Sequence, residues 1–355
     1  MDKSIFKRAI KAYQNAGANF ITSLNIPLKK EADLALLYYP GVDYVMDKIS
    51  KKRKLQDKLC AYNKTIGIIS TKSQDHYPVL TARAALVSHL TGVNAIPLMI
   101  KYGKVHNLPD IIKNLSVNFR AIYCSDFSST EKAVIMENSP EIPVFFQDEV
   151  YAATHLAAII SAGKYLKSNL KKARISIEGT GPVLLEVVKQ LDKERAGKIT
   201  LIDERGPLYH KRPNMNYDKN RLVSIQKPPK DTRTYEQVLA ETEIYVYGKR
   251  EELNEKICQM LPDKAVIISN RAENISKKPK QSVISTLPQY DNHISDLHVL
   301  IGLINAIIDG KKFNEKSLSQ ATYSLASVYK SPSVKKMIPG LLEKNLAKKI
   351  AKGIK

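Results

Sequence analysis

The first 150 residues alternate between short apolar runs and segments in which apolar residues recur every three or four positions. The recurring segments predict helices over Ile5–Asn15, Pro78–Leu90 and Leu108–Asn114. The apolar runs are typical of buried strands, which we place at Thr65–Ser70, Asn94–Ile100, Ala121–Cys124 and Ile142–Phe146. Strands that alternate with helices predict an α/β fold with a largely parallel sheet, covered on both faces.

From residue 150 onward the pattern is that of a strand–helix–strand unit built around a pair of glycines. In chain order it comprises a helix over Val150–Asn169, a strand over Lys172–Glu178, the turn Gly179-Thr180-Gly181, a helix over Pro182–Glu194 and a strand over Lys198–Asp203. Further strands are predicted at Glu243–Tyr247 and Ala265–Ser269, and further helices at Ser295–Asp309 and Asn314–Val328. This order predicts a Rossmann-like domain with a parallel sheet.

The glycine pair is a candidate binding site for the diphosphate of a dinucleotide. Gly179 and Gly181 supply the first two glycines of the G-x-G-x-x-G pattern, but the third position is Leu184, which predicts a wider spacing between helix and strand. Asp203 follows Gly179 by 24 positions and stands where a carboxylate binds the adenosine ribose. Because Glu204 repels a 2′-phosphate and Arg205 attracts one, NAD is favoured only slightly over NADP.

A chain of 355 residues with 43% hydrophobic residues is long enough for two cores. We expect a first domain over residues 1–149, an NAD(P)-binding domain over 150–330, and a basic tail or helix over 331–355. No segment has the roughly 18 consecutive apolar residues of a membrane span, and Met1–Phe20 lacks the pattern of a signal peptide. Three widely spaced cysteines form no CxxC pair, so we expect a cytoplasmic protein without disulfides.

The net charge of +21 raises the question of a nucleic-acid partner. The excess is mainly lysine, since Arg occurs only twelve times, and the basic residues are spread along the chain. Arginine is the preferred planar donor for phosphate and base edges, and no nucleic-acid-binding motif is present. The charge therefore indicates lysine-rich solvated surfaces rather than a nucleic-acid site, and attraction of anionic metabolites stays open.

Seven segments, in order along the chain, resemble sequence motifs of the malic enzymes. In that family an apolar run leads into tyrosine, serine or threonine, and Pro-Gly-Val, and a later motif reads P-V-M-E-G-K-A. The matching segments here are Leu34–Val42 (LALLYYPGV), Pro78–Ala84 (PVLTARA), Phe119–Phe127 (FRAIYCSDF), Ile142–Ala153 (IPVFFQDEVYAA), Asp203–Tyr209 (DERGPLY), Val266–Asn270 (VIISN) and Asn292–Asp309 (NHISDLHVLIGLINAIID).

The resemblance implies metal-dependent oxidative decarboxylation of malate, or of a related small 2-hydroxy acid, with NAD or NADP and with Mg²⁺ or Mn²⁺. It also implies a homodimer with the active cleft between its domains. Tyr38 matches the family's catalytic tyrosine, Asp126 and Asp148 match two of the metal carboxylates, and Asn270 matches a substrate-binding asparagine.

Several positions depart from the family pattern. Arg83 stands in place of the catalytic lysine, and a guanidinium does not lose its proton in proteins, although it can bind a carboxylate. Ser125 stands in place of the first metal ligand, a glutamate, and Asp296 in place of an asparagine near the substrate. The family's glycine-rich segment before P-V-M-E-G-K is missing. His76 and His155 are isolated candidates for a replacement base.

Three functions therefore stay open at the level of sequence. The first is a malic-enzyme-like oxidoreductase with altered or weak activity. The second is a catalytically silent homologue that binds a ligand or a partner, and the third is a basic nucleic-acid binder, which the sequence favours least. Loss of the base and of one metal carboxylate opposes efficient malate turnover, because general-base catalysis alone contributes roughly 10²–10⁴-fold.

Overall fold

The structure, a computed structural model, describes residue 7 and residues 29–37, 39–55, 59–138, 140–249, 253–269, 280–287 and 290–355. The predicted site residues Tyr38 and Asn270 lie outside the described residues, as does the predicted helix Ile5–Asn15 apart from Lys7. The chain divides into two compact units, one of residues 1–146 with 307–310 and one of residues 147–306 with 311–355.

The first unit is built on a four-stranded parallel sheet with the strand order β2-β1-β3-β4. Its central strands are buried on both faces, as their unbroken apolar sequences require. The strands are β1 Thr65–Ser70, β2 Asn94–Met99, β3 Ala121–Ser125 and β4 Val144–Phe146, and the helices are α1 Gly41–Lys51, α2 Tyr77–Thr91, α3 Leu108–Ser116 and α4 Ser129–Glu137. Short 3₁₀ helices lie at Glu31–Leu36, Arg53–Leu55, Ala61–Lys64, Gln74–His76 and Val105–Asn107.

The second unit is built on a six-stranded sheet with the order β10-β9-β8-β5-β6-β7. All its pairs are parallel except β6 with β7, which is antiparallel. The strands are β5 Arg174–Glu178, β6 Lys198–Asp203, β7 Gly206–Pro207, β8 Ile244–Tyr247, β9 Val266–Ser269 and β10 Ser282–Ser285. From residue 147 onward the helices are α5 Gln147–Tyr165, α6 Pro182–Lys193, α7 Tyr217–Gln226, α8 Tyr235–Glu241, α9 Glu255–Met260, α10 Leu297–Ile308, α11 Ser317–Ala326 and α12 Leu346–Lys352.

The predicted α/β class is confirmed, with one correction: the second sheet is mixed because of β7, not wholly parallel. The predicted strands at Thr65–Ser70 and Lys198–Asp203 have the same bounds in the structure, and the other predicted strands differ by one or two residues at an end. Strands β7 and β10 and helices α1, α4 and α7 to α9 were not predicted. Within the described residues, no helix is both long enough and apolar enough to cross a membrane.

The last residues of the chain belong to the core of the second unit rather than to a solvated tail. Ile350 of α12 is fully buried, and a Cβ at Gly302 of α10 would lie 2.2 Å from its side chain. The Lys311 ammonium donates to the carbonyls of Ala351 and Ile354. These contacts fix α12 against α10, so the basic residues of this segment lie on the outer face of a docked helix.

Leu184 occupies the position of the third glycine of the nucleotide turn, and the fold makes room for it with glycines elsewhere. Its side chain is 1% exposed. A Cβ on Gly179 would lie 2.7 Å from Leu184 Cδ1, and a Cβ on Gly248, just beyond β8, would lie 2.3 Å from the same atom. Because Gly248, just after β8, has no side chain, it leaves room for the side chain of Leu184. A glycine at position 184 would have left this room on the side of the helix.

This packing predicts a strong coupling between positions 184 and 248. Gly248→Ala is expected to destabilise the protein by about 1–3 kcal/mol through overpacking, and Leu184→Ala by about 3 kcal/mol through loss of buried volume. In the double variant the methyl group added at position 248 enters the space left by the leucine, so the combined loss should be smaller than the sum by about 1 kcal/mol or more. Urea unfolding of the wild type, the two single variants and the double variant measures this coupling free energy.

Gly340→Ala is the matched control, because a Cβ at Gly340 would meet nothing within 4 Å. Its effect should stay within about 0.5 kcal/mol, as at an ordinary surface position. Additive losses for positions 184 and 248 would contradict the packing described.

Candidate functional site

The structure requires a glycine at only one of the two glycine positions of the turn. Gly179 has φ +126°, a conformation that other residues avoid, and a Cβ there would collide with Leu184. Gly181 is the N-cap residue of α6 with φ −65° and ψ 161°, values that any residue adopts, and a Cβ there would meet nothing within 4 Å. The fold itself thus demands a glycine at 179 but not at 181.

Glu178, the last residue of β5, lies directly before the turn and is 1% exposed. Lys249 Nζ lies 2.5 Å from its Oε1, and the hydroxyls of Tyr235 and Tyr245 donate to its Oε2 at 2.7 and 2.5 Å. Burial and the charge of Glu178 raise the pKa of both tyrosines above the ordinary value. Burial lowers the pKa of Lys249, but its hydrogen bond to Glu178 and the carboxylate's charge outweigh this and raise it.

Asp203 ends β6, where a ribose-binding carboxylate was predicted, and it is 2% exposed. Its Oδ1 accepts from the Arg205 N–H at 2.9 Å and from Arg212 Nη1 at 3.0 Å, and its Oδ2 accepts from Lys219 Nζ at 2.6 Å. Burial raises the pKa of Asp203, but hydrogen bonds from Lys219, the Arg205 backbone and Arg212 lower it below the ordinary value overall. Asp203 therefore also anchors the segment that follows β6.

Glu204 connects the two carboxylate clusters. It is the more exposed neighbour of Asp203, and its carboxylate lies 3.8 Å from Lys219 Nζ and 3.7 Å from Lys249 Nζ. Along this carboxyl edge of the sheet, three acids face four bases, namely Glu178, Asp203 and Glu204 against Arg205, Arg212, Lys219 and Lys249. Among these described, paired residues the bases exceed the acids by one.

Sequence reasoning found Asp203 and the glycines but missed the groups that neutralise the edge. Glu178 gave a usable signal, because a carboxylate within an otherwise apolar strand must be paired when buried. Its partners Tyr235 and Lys249 lie 57 and 71 positions further along the chain, and no spacing rule links them.

In the first unit, four side chains come together at the carboxyl end of β3. Arg83 of α2 donates from Nη1 to Ser125 Oγ at 2.5 Å, and Ser125 Oγ donates to Asp126 Oδ2 at 2.7 Å. His76 Nε2 lies 2.9 Å from the same carboxylate oxygen. Asp126 has φ +62°, so the chain turns sharply as it leaves the strand. The Arg83 guanidinium also lies 5.8 Å from the centre of the Tyr123 ring.

This cluster contains the predicted residues Arg83 and Asp126, together with Ser125, whose replacement of a metal ligand was noted from the sequence. His76, which the sequence left as an isolated candidate base, is a member of it. Arg83 and Ser125 contact each other directly, so each provides a partner for the other.

Asp148 and Asp296 belong to the second unit. Asp148 is in the first turn of α5, where its Oδ1 accepts from the Glu149 N–H at 2.9 Å. Asp296 precedes α10 and is 8% exposed. Burial, followed by the charge of Asp296, raises the pKa of Tyr151. Asp296 thus lies close enough to Tyr151 to share a partly desolvated environment.

His155 is a packed histidine of α5 rather than a member of a catalytic cluster. It is 1% exposed, its Nδ1 lies 2.9 Å from the Tyr151 carbonyl one turn earlier, and its ring stacks edge-on against Tyr151 at 4.6 Å. Within the described part of the chain, no group of three or more His, Cys, Asp or Glu side chains is placed to hold a metal ion.

The Asp203 cluster predicts a stability that depends on pH. Since the folded-state pKa of Asp203 lies below its unfolded value, near 3.9, its contribution is present above that pH and is lost as the pH falls through the folded pKa. Asp203→Asn should lower the free energy of unfolding at pH 7 by about 3 kcal/mol, because the partly buried Arg212 and Lys219 lose their counter-charge. Urea unfolding from pH 7 down to pH 3 measures both effects.

Asp192→Asn on the exposed side of α6 serves as the control and should leave the acid dependence of the wild type unchanged. If Asp203→Asn loses stability on acidification as steeply as the wild type, the described role of Asp203 is wrong.

No family model matches the chain, but individual proteins do. The bifunctional malic/malolactic enzyme of Bacillus subtilis is 21% identical over 356 residues, which cover 93% of this chain and 87% of that protein. The NAD-dependent malic enzyme of Geobacillus stearothermophilus is 20% identical over 95% of this chain and 76% of its own length.

Solved structures are similar over the same extent. The crystal structure of an NAD-dependent malic enzyme from Thermotoga maritima superposes with a TM-score of 0.78 at 18% identity, covering 99% of this chain and 98% of that one. The Entamoeba histolytica malic enzyme gives a TM-score of 0.78 at 16% identity over 98% and 80% of the two chains. The resemblance found in the sequence is thereby confirmed, and this chain is a divergent relative of the malic enzymes in sequence and in fold.

Proposed function

We propose that this protein is a malic-enzyme-like oxidoreductase that binds NAD or NADP at the glycine turn and oxidises malate or a related small 2-hydroxy acid. The observation that carries the proposal is Gly181, a glycine that neither backbone conformation nor packing requires. It lies at the N-terminus of α6, between a strand that ends in a glycine turn and a strand that ends in Asp203. The resemblance to malic enzymes supplies the substrate class, and it also predicts the homodimer.

The residues at this turn fit a dinucleotide. A Cβ at Gly181 would fill the space in which a diphosphate reaches backbone N–H groups, and the N-terminus of α6 adds a favourable dipole. Pro182 removes one N–H donor, so the α6 donors begin at Val183. When bound, the nicotinamide supplies the hydride acceptor. What the chain contributes here is an unobstructed backbone and an edge with a small excess of positive charge.

The contacts of Asp203 bear on the choice between NAD and NADP. The slight preference for NAD rested on the repulsion of a 2′-phosphate by Glu204, but the Glu204 carboxylate lies within 4 Å of Lys219 and Lys249. Asp203 itself already accepts three hydrogen bonds from the protein. Arg205, Arg212 and Lys219 surround it with positive charge, which reduces the repulsion of a 2′-phosphate. We therefore propose that the protein accepts both cofactors.

The residues at the end of β3 do not fit a divalent cation. Mg²⁺ and Mn²⁺ favour sites rich in carboxylate oxygens, whereas here Ser125 replaces one carboxylate and a guanidinium donates to its hydroxyl. Asp126 Oδ2 is engaged by Ser125 and His76. Because the fixed charge of Arg83 repels a second cation, this cluster is poorly suited to hold Mg²⁺ or Mn²⁺. Arg83 is instead suited to bind a substrate carboxylate, since a guanidinium presents a fork of N–H donors.

A second function, ligand binding without turnover, is favoured by this same cluster. The lysine that acts as base in the family is an arginine here, and an arginine cannot accept a proton. The two functions differ in one measurable respect, since both predict cofactor binding but only the first predicts reduced cofactor from a 2-hydroxy acid.

Gly181→Asp tests the cofactor site without harming the fold. Aspartate is a favourable N-cap residue, so thermal stability should be unchanged or slightly higher, while its carboxylate takes the place of the diphosphate and repels it. Calorimetric titration with NADH and NADPH is expected to show binding to the wild type and at least a tenfold weaker affinity in the variant. Gly181→Ser, an uncharged N-cap, should weaken binding less.

Absence of binding of both cofactors to the wild type would overturn the proposed function altogether. Binding accompanied by the absorbance of reduced nicotinamide, with malate and other 2-hydroxy acids as substrates, supports the oxidoreductase. Binding with no reduced cofactor from any of these acids supports the silent homologue.

The cluster of Arg83, Ser125 and Asp126 is expected to bind Mn²⁺ weakly, and a double substitution is expected to strengthen that binding. Arg83→Lys with Ser125→Glu restores the family's residues at both positions, so we expect Mn²⁺ affinity to rise at least tenfold, measured by the loss of the free-ion signal in electron paramagnetic resonance. Arg83→Lys alone is the control, because it keeps the charge and adds no carboxylate. Micromolar Mn²⁺ binding by the wild type, with no gain in the double variant, would refute the argument.

A further inference from the structure

A cavity of the second unit lies at the amino ends of strands β5 and β6, whereas the glycine turn lies at the carboxyl end of β5. It has a volume of about 660 Å³ and is lined by the first residues of β5 and β6 and by the segment 228–233 that precedes α8. This size lies in the range of small-molecule sites, roughly 300–1,000 Å³.

The cavity is separate from the nucleotide edge. Lys198 at the start of β6 lines the cavity, whereas Asp203 at the end of the same strand belongs to the turn cluster. Five residue steps along a strand span about 16 Å. A dinucleotide phosphate held at Gly181 and a group held at Lys198 therefore occupy opposite ends of the strand.

The charges that line the cavity leave cations available to a ligand. Four bases line it, Arg174, Lys198, Lys230 and Arg233, against the two acids Asp231 and Glu241. Both acids are bound to Arg233, which contacts Asp231 from Nε and Nη2 and Glu241 from Nη1 at 2.8 Å. In the described part of the chain, no ion pair is formed by Lys198 or Lys230, and Arg174 has only a 3.6 Å contact to Glu243.

The apolar surface of the cavity is limited, and its buried hydroxyls are already satisfied. Ile199 and Pro228 are half-buried and Pro229 is exposed, whereas Leu208 and Val238 also line the cavity but are only 3% and 2% exposed. The Ser176 and Thr242 hydroxyls lie 2.7 Å apart, and Thr242 also donates to the Val238 carbonyl. A ligand therefore meets the apolar side chains of Ile199 and the two prolines together with lysine ammonium groups.

The wall formed by residues 228–233 is preorganised. Pro228 and Pro229 restrict its backbone, the His210 N–H donates to the Pro228 carbonyl at 3.0 Å, and Arg233 joins the far end to Glu241 of α8 at 2.8 Å. Little conformational entropy is then lost when a ligand enters, which favours binding.

We propose that this cavity binds a small phosphorylated molecule with a flat apolar portion, of the size of a nucleoside monophosphate. The phosphate is held by Lys198 and Lys230, with Arg174 on the same lining, and the apolar portion lies against Ile199, Pro228 and Pro229. Lysines bind phosphate as point charges without a bidentate geometry. The site goes beyond the cofactor site of the proposed function and does not depend on it.

Calorimetric titration with AMP tests the proposal on the full chain, once alone and once with saturating NADPH to block the glycine turn. We expect saturable AMP binding in both conditions, at least tenfold weaker in the Lys198→Glu, Lys230→Glu double variant. Lys193→Glu reverses the charge of an exposed lysine on α6 outside the cavity and should bind AMP like the wild type. Inorganic phosphate and adenosine, tested separately, should each bind more weakly than AMP.

Equal AMP affinity in the wild type and in the double variant, or AMP binding abolished by NADPH, would overturn the proposal. Failure of the cofactor site is distinguishable, because Gly181→Asp should then change nothing while the lysine variants still weaken AMP. Circular dichroism of the double variant confirms that it is folded, since both lysines are exposed.

Discussion

The arrangement of the nucleotide-type unit depends on neutralising two carboxylates buried at the carboxyl ends of adjacent parallel strands. Glu178 and Asp203 are 1% and 2% exposed, and an unpaired charge so buried would cost several kcal/mol. The cations that pair with them come from segments distant in sequence. The segments that carry Arg212, Lys219 and Lys249 are thereby fixed along the sheet edge where the glycine turn lies.

The same edge explains how a departure from the nucleotide motif is tolerated. A leucine at the third glycine position was expected to push the helix from the strand, but Gly248 on the neighbouring strand leaves space for it. The side chains of α6 and those of the sheet share the space between them, so a glycine on either side leaves room for a larger side chain on the other. Gly181 is different in kind, because among the described residues no atom lies within 4 Å of the position a Cβ would take there, and neither packing nor backbone conformation requires a glycine.

In the first unit, the charged side chains at the carboxyl end of β3 are paired with one another. The Arg83 guanidinium donates to the Ser125 hydroxyl, which in turn donates to the Asp126 carboxylate. His76 Nε2 lies within hydrogen-bond distance of the same carboxylate oxygen. The outcome is one hydrogen-bonded cluster that holds the positive charge of Arg83 next to the end of the strand.

The sequence by itself determined the α/β class, most of the longer helices and strands, the glycine turn with Asp203, and the relationship to malic enzymes. These features depend on local periodicity and on short motifs, in which the informative residues are neighbours in the chain. Only the tertiary structure decided that β7 makes the second sheet mixed, that Gly248 accommodates Leu184, that His76 joins Arg83, Ser125 and Asp126, and that Lys198 and Lys230 share a cavity. Apart from the short β6–β7 pairing, these contacts join residues tens of positions apart, and their energies depend on burial and distance, which no local pattern in the sequence encodes.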